Sequence, residues 1–133
     1  MQLNQFAKSY RAAAISTATP SQLILMLFDG ALRSMAIALN SFQEPNVIRR
    51  NEQIHNKLMN AHDIIQELQT SLDLKQPGDF PRRMWALYAF MMSQLRQANM
   101  RKDPEPILVV ERLLRKIRDA WAEILERSAS QAA

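Results

Sequence analysis

Thr17-Ala-Thr-Pro-Ser-Gln-Leu-Ile-Leu-Met-Leu-Phe28 joins a complete helix-start signal to six apolar residues in a row, Leu23 to Phe28. Thr19 is the expected N-cap, its hydroxyl accepting a hydrogen bond from an otherwise unpaired N–H of the first turn. Pro20 then falls at the first helical position, where its fixed φ suits the helix and its missing N–H costs nothing. Gln22 can reach back to the N–H of the cap and complete a capping box. A helix that is apolar on most sides must be enclosed by other protein on most sides.

The chain downstream supplies that enclosure. Ile24, Phe28, Ala31, Met35, Ala38 and Phe42 repeat at alternating four- and three-residue spacing, the seam of an antiparallel bundle, which predicts helix 1 over about 20–42. Pro45 ends the first turn and Asn46 caps helix 2, whose seam is Val47, Ile54, Leu58, Ala61, Ile65, Leu68 and Leu72. Pro77-Gly78 marks the second turn, with Asp79 as the cap ahead of Pro81. Helix 3 carries Met84, Tyr88, Met91, Leu95 and Ala98, and ends near Lys102. Asp103-Pro104-Glu105 starts helix 4, with Ile107, Val110, Leu114, Ile117, Trp121 and Ile124 as its seam. No strand pattern competes. The expected fold is all-α: an antiparallel up-down-up-down four-helix bundle over 17–127. A mobile N-terminal arm (1–16) precedes it and a disordered tail (128–133) follows. Leu3, Phe6 and Tyr10 keep a helical spacing, so the arm either frays or docks as a short amphipathic helix.

Composition excludes several function classes. At 133 residues the chain can bury a core unaided, and with no cysteine it has neither a disulfide framework nor a thiolate metal site. Two glycines leave no phosphate-cradling loop. Met1 to Tyr10 has no continuous apolar run of the kind a secretion signal needs, and the Leu23 run is too short to span a bilayer. A cytoplasmic protein with no membrane insertion is expected. Serines are few, and no Ser/His/Asp set can be assembled; no enzyme is expected. Glu52-Gln53-Ile54-His55 matches the Glu-x-x-His pattern of di-iron bundles, which requires a second copy and a glutamate from each of two other helices. Met59 stands where that second glutamate would precede His62, and helix 1 has no inward glutamate. The match is read as chance, and no cofactor or metal is expected.

The net charge of +4 is concentrated in 75–103, where six basic residues face two acidic ones. This raises nucleic acid as a partner. Arg82-Arg83 and Arg101-Lys102 lie at opposite ends of helix 3, roughly 30 Å apart by helix rise, which is a solvated face rather than one phosphate-binding stripe. No nucleic acid is therefore expected.

The helices hold more apolar residues than a bundle seam requires. Helix 4 adds Val109, Leu113 and Ala120, helix 2 adds Met59 and Ile64, and helix 3 adds Trp85, Leu87 and Phe90. These rows either thicken the core or form an apolar groove for a partner helix.

In order and spacing the residues resemble the FliS family of flagellar export chaperones. The matching pieces are Tyr10, Thr17 through Leu32, Ile64-Ile-Gln-Glu-Leu68 and Leu72-Asp73. Further on come Leu87-Tyr88, Met91, Leu95, Ala98-Asn99, Asp103 and Trp121. The chain departs from the family at Phe28, where a tyrosine is common, and at Pro77-Gly78, where Gly-Gly is common. The resemblance implies a cytoplasmic bundle that binds the disordered C-terminal segment of flagellin. It also implies delivery to the flagellar type III export machinery; whether a co-chaperone or regulator is a further partner is left open by the sequence. The expected binding residues are Met59, Ile64, Val109, Leu113 and Ala120 as groove walls on helices 2 and 4, and Phe6, Tyr10 and Ile15 in the arm that covers them. The competing reading is a basic helical adaptor for nucleic acid or another protein.

Overall fold

A computed structural model describes residues 18–132. Four helices follow one another: α1 (Pro20–Ser41), α2 (Val47–Thr70), α3 (Phe80–Arg101) and α4 (Glu105–Ala132). α1 packs on α2, α2 on α3, α3 on α4, and α4 back on α1. With short connections between consecutive helices, this ring is the expected all-α antiparallel bundle. It also places α1 diagonal to α3, and α2 diagonal to α4.

Local chemistry fixes three of the helix starts. Gln22 N–H donates to Thr19 Oγ1 at 3.1 Å and Thr19 N–H to Gln22 Oε1 at 2.9 Å, closing the capping box. Asn46 Oδ1 accepts from Arg49 N–H at 3.0 Å at the head of α2. Asp103 Oδ1 accepts from Glu105 N–H at 3.0 Å and leads into α4. The start of α3 differs from the expectation. Asp79 makes no side-chain capping bond, because its backbone is already helical (φ −93, ψ −12) rather than extended. Its carboxylate lies 3.9 Å from Arg83 instead. α3 ends on Lys102 in the left-handed region, φ 50. That conformation is costly for a side-chain-bearing residue. The Lys102 ammonium, bonded to Asn99 O at 2.8 Å and Asn99 Oδ1 at 2.5 Å, helps to hold it.

The seams meet in one core. Phe28, Met35, Ile54, Leu58, Ile65, Leu68, Met91, Leu95, Ile107 and Leu114 are all at most 2% exposed. The α4 seam runs out towards its end: Ile117 and Trp121 are half-buried, and Ile124 is 55% exposed. Trp121 already bonds to Ser21 at the start of α1, so the last turns of α4 extend past the helix they would pack on. Those turns remain helical to Ala132, where a disordered tail from 128 was expected. Ser128 to Ala132 contains no glycine or proline to stop the helix, and its alanines favour continuation.

By length and composition α1 is apolar enough to cross a membrane. In the bundle its apolar side chains Phe28, Ala31, Leu32, Met35 and Ala38 are core.

Candidate functional site: an apolar face centred on α3

Cross-helix hydrogen bonds show which edge of each helix meets its neighbour. On α2, His62 Nε2 lies 3.0 Å from Arg96 Nη1, and His55 Nδ1 lies 2.8 Å from Asn99 Nδ2. A guanidinium can only donate, so His62 accepts through Nε2. Lys102 holds Asn99 Oδ1, which leaves the Asn99 amide N–H to donate to His55. Gln69 Nε2 donates to Trp85 O at 3.1 Å and completes the α2–α3 contact. Both histidines thus bond across to α3. Among the described residues no group of three or more potential ligands gathers for a metal ion.

Met59 lies between the two histidines on this same edge of α2 and is 38% exposed. It therefore borders the α2–α3 seam. Ile64 does not: it is 1% exposed and belongs to the core. Its expected place in a groove wall is corrected by helix geometry, since Ile64 follows Ala61 by three residues and shares the inward face.

On α4, Arg118 Nε donates to Asp29 Oδ1 at 2.7 Å and Trp121 Nε1 to Ser21 O at 2.9 Å, which fixes the edge facing α1. The bond to Asp29 pushes the Arg118 guanidinium up from its ordinary value. Val109, Leu113 and Ala120 sit about 140–180° round the axis from Arg118, at 100° per residue. They therefore lie on the outer and α3-facing side. Leu113 is half-buried against the core, Val109 is half-buried, and Ala120 is exposed. The expectation that α2 and α4 are facing walls of one groove thus needs correction. The two helices are diagonal, and α3 lies between the rows they contribute.

α3 is the element the expected site left out. Its edge towards α2 carries Trp85, 40% exposed, and its edge towards α4 carries Phe90, 44% exposed, and half-buried Leu87. Ala86 and Ala89 are exposed beside the two aromatics. Further exposed apolar groups flank the α2–α3 seam at its far end, Ile48 at 80% and Met100 at 78%. Taken together, these side chains form an apolar face with α3 at its middle and the rows of Met59 and Leu113 at its two margins. A signal for it was present in the sequence: Met84 to Leu95 holds no charged residue, though half of such a helix meets solvent.

A separate cleft of about 550 Å³ opens at the end of the bundle where α1 begins, lined by Ile24, Phe28, Leu72, Phe80, Tyr88 and Trp121 among others. Phe28 and Trp121 meet edge-on within it, with centroids 6.4 Å apart. Burial pushes the Tyr88 phenol up to about 12. Pro20 and Ser21 lie on its rim, so the chain before residue 18 joins the bundle beside this cleft. Phe6, Tyr10 and Ile15 fall outside the described residues.

Residues 2–128 match the family described as flagellar protein FliS. The flagellar secretion chaperone FliS of Salmonella typhimurium is 33% identical over 97% of this chain and 93% of its own length. That of Bacillus subtilis is 32% identical over 89% of this chain and 84% of its own length. That of Escherichia coli is 36% identical over 85% of this chain and 81% of its own length.

Proposed function

The chain belongs to the FliS family of flagellar secretion chaperones, and from that premise we propose that its client is the C-terminal segment of flagellin. Bound in the cytoplasm, the segment is kept from polymerising early and is presented to the flagellar type III export machinery.

The observation that carries this reading is the apolar face around α3. A disordered client loses chain entropy when it becomes helical, so its docking site must offer enough apolar surface to offset that loss. Trp85, Phe90, Leu113, Met59 and their neighbours offer it without disturbing the core, and no bond-making chemistry is needed.

The arm completes the mechanism. Phe6 and Tyr10, on their helical spacing, cover part of the apolar surface together with Ile15 until the client displaces them. The entry of the chain into α1 beside the bundle-end cleft supports this, since Phe80 and Met84 at the head of α3 line the same cleft. Deleting residues 1–14 is expected to raise affinity for the flagellin segment. Loss of binding with the fold intact would make the arm part of the site.

Calorimetric titration with the C-terminal segment of flagellin from the same cell tests the reading. Saturable binding is expected for the wild type, with a loss of about tenfold or more for Leu113→Glu on a folded protein. Normal binding by Leu113→Glu would remove that residue from the site. No binding by the wild type would remove the client.

A further inference from the structure

We propose that the outer face of α3 seats one helix of the client, apolar along its middle and acidic at both ends. Its carboxylates meet Arg82 at one end of α3, and Arg96 with Arg101 at the other. This rests on the flagellin reading above and specifies the chemistry that reading leaves open.

The face has an apolar centre and basic ends. Between Arg83 and Arg96 the helix carries no charge, and Trp85 and Phe90 are exposed within that interval. Arg82 and Arg96 are fourteen residues apart, about 20 Å along the axis. That is close to four turns of an opposing helix. Arg82 and Arg101 make no ion pair or hydrogen bond among the described residues, and Arg96 bonds only to Nε2 of His62, not to a carboxylate. At the Arg82 end the Asp79 carboxylate lies 3.9 Å from Arg83. The arginine forks are thus open to carboxylates from outside, the pairing their geometry favours.

Charge also decides between occupants. A second copy of α3 laid antiparallel sets Arg82 against Arg96, and laid parallel sets each arginine against itself. Both are repulsive. A nucleic-acid backbone needs cationic contacts along its length, whereas here about 20 Å of uncharged aromatic surface separates the arginines. A helix with an apolar body and acidic ends satisfies both parts.

The test compares two synthetic peptides on the full chain, the C-terminal segment of flagellin and the same segment with every Asp and Glu changed to Asn and Gln. Neutralising the peptide is expected to weaken binding to the wild type by about fivefold, and binding to Arg82→Glu much less, because one partner is already gone. Phe90→Ala is expected to weaken both peptides by about tenfold. Arg82→Glu alters an exposed side chain without a partner among the described residues, so circular dichroism should show an unchanged fold. Equal binding of the two peptides to the wild type would overturn the inference and leave the chaperone reading in place. Failure of both peptides to bind would overturn the reading itself. Tight, steeply salt-dependent binding of duplex DNA that Arg82→Glu abolishes would assign the face to nucleic acid and overturn the inference.

Discussion

Ile64 and Leu113 show how one residue's position on its helix separates the core from its margin. Both are surplus to the simplest seam, but Ile64 is 1% exposed while Leu113 sits at the margin of the core. Ile64→Ala should therefore lower the free energy of unfolding by about 2–5 kcal/mol, since a fully enclosed site collapses poorly around a cavity. Affinity of the remaining folded protein for the flagellin segment should not change. Urea unfolding and titration of the same variant check both statements. Tyr88 offers a second residue-scale test. Its phenol is pushed up to about 12 by burial, against an ordinary value near 10 in the unfolded chain. A folded value above the unfolded one means that the stabilisation is fully present below pH 10 and disappears as pH rises through 12. Above pH 10 the unfolded state binds fewer protons, so stability falls, by about 3 kcal/mol over that window. Tyr88→Phe should flatten that part of the stability profile. An unchanged slope would place the alkaline loss elsewhere.

At the scale of the element, what could be read from the sequence depended on whether the signal was local. The α1 start was legible because Thr19, Pro20 and Gln22 specify it through neighbouring atoms, and the capping box forms with both bonds present. Asp79 carries a similar local signal, yet the chain enters α3 with that residue already helical and the cap is not made. The pair gives a direct comparison. Thr19→Ala should cost about 1 kcal/mol, and Asp79→Ala only a few tenths, in denaturant midpoints measured side by side. The apolar face was harder to read. Seam periodicity says which side of a helix points inward, so it found most core positions of the four helices. It left out Leu32, Ile64 and Met92, which are buried, and included Val47 and Ile124 at the helix ends, which are 56% and 55% exposed. It does not say which helices are neighbours. The rows of Met59 and Leu113 were legible as surplus, but only the ring order of the bundle shows that α3 lies between them. The charge-free stretch from Met84 to Leu95 was visible throughout, and it gained meaning when Trp85 and Phe90 proved to be exposed on it.

At the scale of the whole molecule, the core and the apolar face draw on α1 and α3 differently. α1, the most apolar helix, supplies Phe28, Ala31, Met35 and Ala38 to the interior, and its opening segment carries the Thr19–Gln22 capping box. α3, diagonal to it, supplies core on one side and the apolar face on the other. In the proposed complex the client takes the α3 side while the diagonal helix stays in place. Amide hydrogen exchange on the full chain, with and without saturating C-terminal flagellin segment, tests this most directly. The expected result is added protection across α3 and the adjoining turns of α2 and α4, with α1 unchanged along its middle. Added protection confined to α1, or none at all under conditions where the segment is soluble and in excess, would contradict it.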